Sequence, residues 1–172
     1  MFVFHPATMK KIVYLICFLC AATTVYAQPQ VESCSHPQVL HQADSIIGSY
    51  QSQGFRTVKR GAIKMEKNTE FPIILNMERG RWYAMGFVGQ PDAQTVRFDL
   101  MNSLEYSFAR DIVRKQRDKT NETHFEFIAP ESDRYFIHFS QKTKEKNPCG
   151  YFFILVKDAG DQKNYKIPEK NY

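Results

Sequence analysis

Apolar positions along the first third of the chain recur at the steps of one helical face. Val39, Leu40, Ala43, Ile46, Ile47 and Tyr50 form a stripe, with Gln38, Gln42, Asp44, Ser45 and Gln51 on the other side. The run Ser35-His36-Pro37-Gln38 reads as a capping box with proline in the first turn. Gly54 falls where a left-handed C-terminal cap belongs. The pattern predicts an amphipathic helix over residues 37–53, about four turns long. Its apolar stripe needs a partner surface.

From residue 55 onward the pattern predicts strands. Residues 55–65 read as extended, with Gly61 suggesting a bulge. Strands follow at 71–77, where Pro72 marks a start or a sheet edge, and at 82–88. In 95–101, Val96, Phe98 and Leu100 alternate with Arg97 and Asp99, the signature of a half-buried strand. Residues 106–114 form a further strand that runs into a charged hairpin tip over 114–122. The richest stretch, 124–156, holds three strands' worth of aromatic and β-branched residues between turn clusters. Seven or eight short strands at near-regular spacing indicate an antiparallel β-sandwich or barrel.

The strand at 151–156 is apolar on both faces, with Tyr151, Phe153 and Leu155 on one and Phe152, Ile154 and Val156 on the other. A sandwich strand ordinarily shows one face to water. The helix is therefore expected to cover the outer face of the sheet that holds residues 151–156. Any binding surface is then expected on the opposite sheet or its loops, near residues 110–119.

The order of these signals resembles the bacterial pre-peptidase C-terminal domain. The residues that carry the resemblance are Leu75, Gly80 and Tyr83; Val96, Phe98 and Leu100; Phe127, Ala129 and Pro130; Asp133, Tyr135, Phe136, His138 and Phe139; and Gly150, Tyr151, Ile154 and Val156. The sequence departs from that family over residues 92–99, where the usual acidic run becomes Arg97-Phe98-Asp99-Leu100. The resemblance implies a jelly-roll-like β-sandwich of the kind appended to secreted enzymes. The expected fold is mainly β: an antiparallel, jelly-roll-like sandwich with one N-terminal amphipathic helix packed on one sheet.

The N-terminus changes the picture of compartment. Met9 is followed by Lys10 and Lys11, then an apolar run, then Val25-Tyr26-Ala27, the small-residue site of a signal peptidase. The apolar run, residues 12–25, is shorter than the roughly 20 residues a membrane-spanning helix needs. Residues 1–27 are therefore expected to be a cleaved signal peptide, with Met9 the expected true start. Residues 28–54 are then a polar tail and the helix, 55–160 the sandwich, and 161–172 a flexible tail. The expected location is periplasmic or secreted, with no transmembrane segment in the mature chain.

Lys10 and Lys11 are the only ones of the 23 basic side chains before residue 28, so the mature chain keeps all 18 acids and a net charge of +3. That is too mild a balance for a nucleic-acid partner. Cys17 and Cys20 lie inside the apolar segment, which excludes a thioredoxin-like reading of their spacing. Cys34 and Cys149 remain, and in an oxidising compartment the pair is expected to form a disulfide.

Candidate chemistry is sparse. There is no Gly-x-Ser-x-Gly, no His-Glu-x-x-His and no glycine-rich phosphate loop. His36 and His41 are too far apart in helical phase to share a face, whereas His124 and His138 are placed to pair across adjacent strands. Asp99 and Glu126 are the strand-embedded acids with aromatic neighbours, most simply a solvated face. Trp82, Tyr83, Tyr106, Tyr135 and Tyr151 are either core or a sugar-stacking platform. Arg110, Arg114, Lys115, Arg117 and Lys119 form the candidate ligand-binding run, with a solvated charged edge as the alternative. No catalytic residue, metal site or cofactor is expected. The reading is a non-catalytic binding or interaction module for a protein or glycan of the cell envelope; the alternative is a small secreted hydrolase acting on glycans.

Intact-mass analysis of the native protein is expected to give a chain beginning at or near Gln28 with no thiol that titrates in unreduced denaturant. A mass that retains residues 12–25, or two free thiols, contradicts this reading.

Overall fold

In the computed structural model, residues 36–66 and 69–158 are described. The expected signal peptide, polar tail, Ser35, Cys34 and C-terminal tail lie outside the described residues.

Helix α1 spans Pro37–Ser52. Its N-cap is His36, whose side chain makes no capping hydrogen bond; Ser35 of the expected capping box lies outside the described residues. Pro37 fixes φ in the first turn, where a missing N–H costs nothing. The C-terminus closes as expected. Gly54 sits at φ 89°. Its N–H donates to the Gln51 carbonyl at 3.0 Å, and the Phe55 N–H donates to the Tyr50 carbonyl at 3.1 Å. This is the paired Schellman arrangement, with the Tyr50 and Phe55 rings in edge contact at 5.3 Å as its apolar clasp.

Eight strands follow: β1 (Arg56–Lys64), β2 (Glu70–Met77), β3 (Trp82–Val88), β4 (Thr95–Met101), β5 (Ser107–Arg114), β6 (Glu122–Ile128), β7 (Asp133–Lys142) and β8 (Cys149–Lys157). They form two four-stranded antiparallel sheets, ordered β1-β8-β3-β6 and β2-β7-β4-β5. The pairs β1·β8, β2·β7, β3·β6 and β4·β5 are those made by folding the chain back on itself at the β4–β5 turn and rolling the resulting ribbon. That is jelly-roll topology.

Only β4 and β5 are joined as a hairpin; every other consecutive pair lies in different sheets. Residues 114–122 are therefore not a hairpin tip. They cross from one sheet to the other and contain a single helical turn, α2 (Lys115–Asp118). The bulge in β1 also falls elsewhere than expected, between Thr57 and Lys59 rather than at Gly61. Pro72 lies on an edge strand, since β2 pairs only with β7, and a residue with no N–H to offer belongs there.

The core between the sheets is aromatic. Phe139 stacks on Phe87 at 5.2 Å and meets Phe98 edge-on at 5.2 Å, while Phe98 meets Phe125 at 4.4 Å. A Cβ on Gly150 would overlap the Phe87 ring, so this position in β8 has room only for glycine. At one end, Gln141 closes the sandwich: its amide donates to the Cys149 carbonyl at 2.9 Å and its carbonyl accepts from the Gln90 N–H at 2.8 Å. Gln90 in turn accepts from the Cys149 N–H at 3.0 Å.

The outer face of β8 is covered by α1, as the sequence predicts. Val39, Ala43, Ile47 and Tyr50 are buried with Ala84, Val88, Tyr151, Phe153 and Leu155, and Leu40 and Ile46 pack at the margin. Phe152, Ile154 and Val156 belong to the inner core. Burial of Val39 and Ile47 is worth about 1.5–3 kcal/mol each.

Ile47→Ala is expected to destabilise the protein by about 2–5 kcal/mol in urea unfolding, because the cavity opens between a helix and a sheet that are both otherwise packed. A variant as stable as the parent would show that α1 is a free arm.

Candidate functional site

The two sheets differ in what their outer faces meet. β3 and β8 are buried along nearly their whole length, whereas β7 and the first half of β4 alternate between buried and partly exposed positions. The outer face of the β2-β7-β4-β5 sheet is thus the open one. Strand register lays it out in rows, because residues directly opposite one another point to the same side. One row is Ile74, Phe136 and Met101. The next is Pro72, His138, Asp99 and Arg110, followed by Glu70, Ser140, Arg97 and Ile112. The last is Lys142, Thr95 and Arg114.

Asp99 anchors this face. Its side chain is only 4% exposed. It accepts from Arg97 Nε at 2.6 Å and from Arg110 Nε, which approaches from the neighbouring strand. Hydrogen bonding to Asp99, then its charge, raises the Arg110 pKa above the ordinary guanidinium value. Arg97 also reaches Glu70 at 3.7 Å, and Glu70 meets His138 Nδ1 at 3.1 Å. A carboxylate so enclosed is not the solvated strand face that its sequence context suggests.

Two hollows lie beside this network. One, of about 570 Å³, is lined by Gln94, Thr95, Arg114, Lys115, Gln116 and Arg117. The other, of about 260 Å³, is lined by Glu70, Thr95, Arg97, Ser140, Gln141 and Lys142. They share Thr95. Together they carry five cationic side chains against one carboxylate.

The expected basic run is divided by the fold. Arg110 and Arg114 stand on the open sheet face, opposite Asp99 and Thr95. Lys115 and Arg117 project from α2 into the larger hollow. Lys119, in the left-handed conformation at φ 59°, ends α2 and lines neither hollow. Arg117 is held by Asp118 at 2.6 Å, which raises the Arg117 pKa. The same bond, then one from the Arg114 N–H, lowers that of Asp118. Lys115 donates to the Pro91 carbonyl. Among the lining residues that the basic run does not include are Arg97 and Lys142, with Glu70, Thr95, Gln94, Gln116, Ser140 and Gln141. For Arg97 the signal was the polar half of the β4 alternation; for Lys142, adjacency to β4 through β7 is visible only once strand order is known.

Other sequence candidates are separated. His124 lies on β6 and His138 on β7, in different sheets, so they do not pair. His124 Nδ1 instead meets the Tyr50 hydroxyl at 3.0 Å. Asp99 and Glu126 also lie in different sheets, with Glu126 opposite Ala84 under the α1 side, so the two do not flank one substrate bond. The five aromatics form no platform. Tyr83 and Tyr135 are in the inner core, Trp82 and Tyr151 pack with α1, and Tyr106 alone is exposed, in the β4–β5 turn.

Asp99→Ala is expected to cost about 1–3 kcal/mol, measured by urea unfolding, because it strands two guanidinium groups that were arranged around one buried carboxylate. An unchanged midpoint would mean that the network contributes nothing to the fold.

No family model matches the chain, and no curated protein matches it. Among solved structures, it is similar to a periplasmic inhibitor of g-type lysozyme, PliG, from Aeromonas hydrophila, at 13% identity over 61% of this chain and 90% of that one, with a TM-score of 0.39. It is similar to a CBM4 structure at 13% identity over 64% of this chain and 83% of that one, TM-score 0.39. A Gap123 glycosylation-associated protein complex from Streptococcus agalactiae follows at 10% identity over 67% of this chain and 43% of that one, TM-score 0.32. Likenesses this distant carry no function across to the chain.

Proposed function

We propose that the chain is an exported, non-catalytic binding module, of the pre-peptidase C-terminal-domain-like kind, whose binding face is the outer surface of the β2-β7-β4-β5 sheet. The observation that carries this reading is the asymmetry of the two sheets. α1 covers the β3 and β8 strands of one outer face, and the other holds two hollows lined by polar and charged residues that share Thr95. A rigid sheet with a held array of side chains is a good platform for recognition, since the groups need little further ordering on binding. The central carboxylate, Asp99, is occupied by two arginines and is not free to act as an acid or nucleophile. Among the described residues no group of three or more His, Cys, Asp or Glu is arranged to hold a metal ion, and no helix is long and apolar enough to cross a membrane.

Export places the module in an oxidising compartment, where Cys34 and Cys149 pair. Cys149 opens β8, and bonded cysteines have Cα atoms about 4.4–6.8 Å apart, so the bond ties the chain just before α1 to the strand that α1 covers. The partner is a protein or glycan of the cell envelope.

A glycan array and an envelope extract, probed with the parent, with Ile74→Glu/Ser140→Glu on the open face and with Gln51→Glu on the exposed side of α1, test the assignment. The bound component is expected to be lost only with the open-face variant and to be recovered chemically unchanged. Loss with Gln51→Glu instead, or turnover of the bound component, would contradict it.

A further inference from the structure

Lys142, Thr95 and Arg114 are in register on three adjacent strands of the open sheet. At two strand spacings, the Lys142 and Arg114 backbones are about 10 Å apart with Thr95 between them. Among the described residues, neither cationic side chain makes an ion pair or a hydrogen bond. The other cations of the strip are engaged: Arg97 by Asp99, Arg117 by Asp118, and Lys115 by the Pro91 carbonyl. Two like charges, neither in a direct ion pair although Arg114 also acts at longer range on Asp118, are thus set on either side of a hydroxyl, within reach of one acidic group lying over it.

The rest of the lining narrows the ligand. The side chains of Gln94, Thr95, Gln116 and Ser140 also lack a protein hydrogen-bond partner among the described residues. They alternate with the cations along both hollows and suit a ligand that offers hydroxyl groups as well as charge. No lining side chain is apolar. A lipid surface requires apolar groups to bury, and a protein partner ordinarily requires an apolar core in its interface. The apolar surface of the strip comes from the carbon stems of polar and charged residues, not from an apolar side chain that either partner would bury. Two hollows that meet at Thr95 also suit an elongated ligand better than a free anion.

Resting on the assignment of the open face, we infer that the strip over Thr95 binds an acidic polysaccharide, with one carboxylate or sulfate group seated between Arg114 and Lys142 and the neighbouring sugar hydroxyls on Gln94, Gln116 and Ser140. Arg97 and Arg117, held by their carboxylates, present fixed N–H edges at the two ends.

Calorimetric titration of the intact protein with an oligogalacturonate, a heparin oligosaccharide, a neutral oligoglucan and phosphatidylglycerol vesicles tests this. One or both acidic sugars are expected to bind, a uronate preference identifying carboxylate as the seated group and a heparin preference sulfate. Binding should weaken steeply between about 50 and 300 mM salt, as exposed charges are screened. Arg114→Ala/Lys142→Ala should weaken it about tenfold or more with the thermal midpoint unchanged, and Arg114→Lys should retain most of it. Binding of neither acidic sugar at low salt, equal binding by the double variant, or binding of vesicles alone would overturn the inference. A neutral ligand held by the open face would also overturn it while leaving that face as the binding surface; a ligand held on the α1 side would overturn both assignments.

Discussion

Val39, Ala43, Ile47 and Tyr50 lie on Ala84, Val88, Phe153 and Leu155, and this contact decides which of the two sheets faces water. Without it, β3 and β8 would expose an apolar surface larger than a soluble sandwich tolerates. The local sequence supports the contact at both ends. Pro37 sets the direction in which α1 starts, and the Schellman turn at Gly54 returns the chain at once into β1, which pairs with β8. The clasp of Tyr50 on Phe55 is part of the same packed layer as Trp82, which meets Phe55 edge-on at 5.8 Å. Helix, turn and first strand therefore bury one face together.

With β3 and β8 covered by α1, it is the other sheet that turns a continuous row of polar groups to solvent. Jelly-roll winding brings β7 between β2 and β4, which is what sets Lys142 beside Thr95 and Glu70 within reach of Arg97. Asp99 then fixes two arginines from adjacent strands against the sheet. Its enclosure is sustained because each oxygen has a charged donor, which offsets the desolvation that an unpaired buried carboxylate would suffer. The bonds of Gln141 with Gln90 and Cys149 hold the end of the sandwich next to the smaller hollow, which Gln141 lines.

Much of the architecture was legible in the sequence because it depends on period. Six apolar residues at helical spacing located α1, and the two-faced strand at 151–156 required a cover, which gave the helix its place. Strand positions followed from alternation and from turn residues. Contacts between sheets were not legible in the same way. The run 114–122 has the charge of a hairpin tip, yet the jelly roll sends it across to the other sheet, and no local pattern distinguishes the two. His124 and His138 looked like cross-strand neighbours for the same reason. Of the candidate site, the basic run supplied Arg110, Arg114, Lys115 and Arg117, whereas Lys142 and Ser140 join it through β7, from a distant part of the chain. The enclosure of Asp99 was also hidden, since a polar residue in an alternating strand ordinarily faces water and only the register with Arg110 closes it off.

The account depends most on α1 being an integral layer of the sandwich rather than an appended arm. Native-state amide hydrogen exchange tests this directly. The account predicts that amides of α1 between Ala43 and Tyr50 exchange with the same opening free energy and the same denaturant dependence as those of β8, as one cooperative unit. Exchange of α1 near the unprotected rate while β8 stays protected would contradict it, because the outer face of the β1-β8-β3-β6 sheet would then be available and the open sheet would lose its claim to be the binding side.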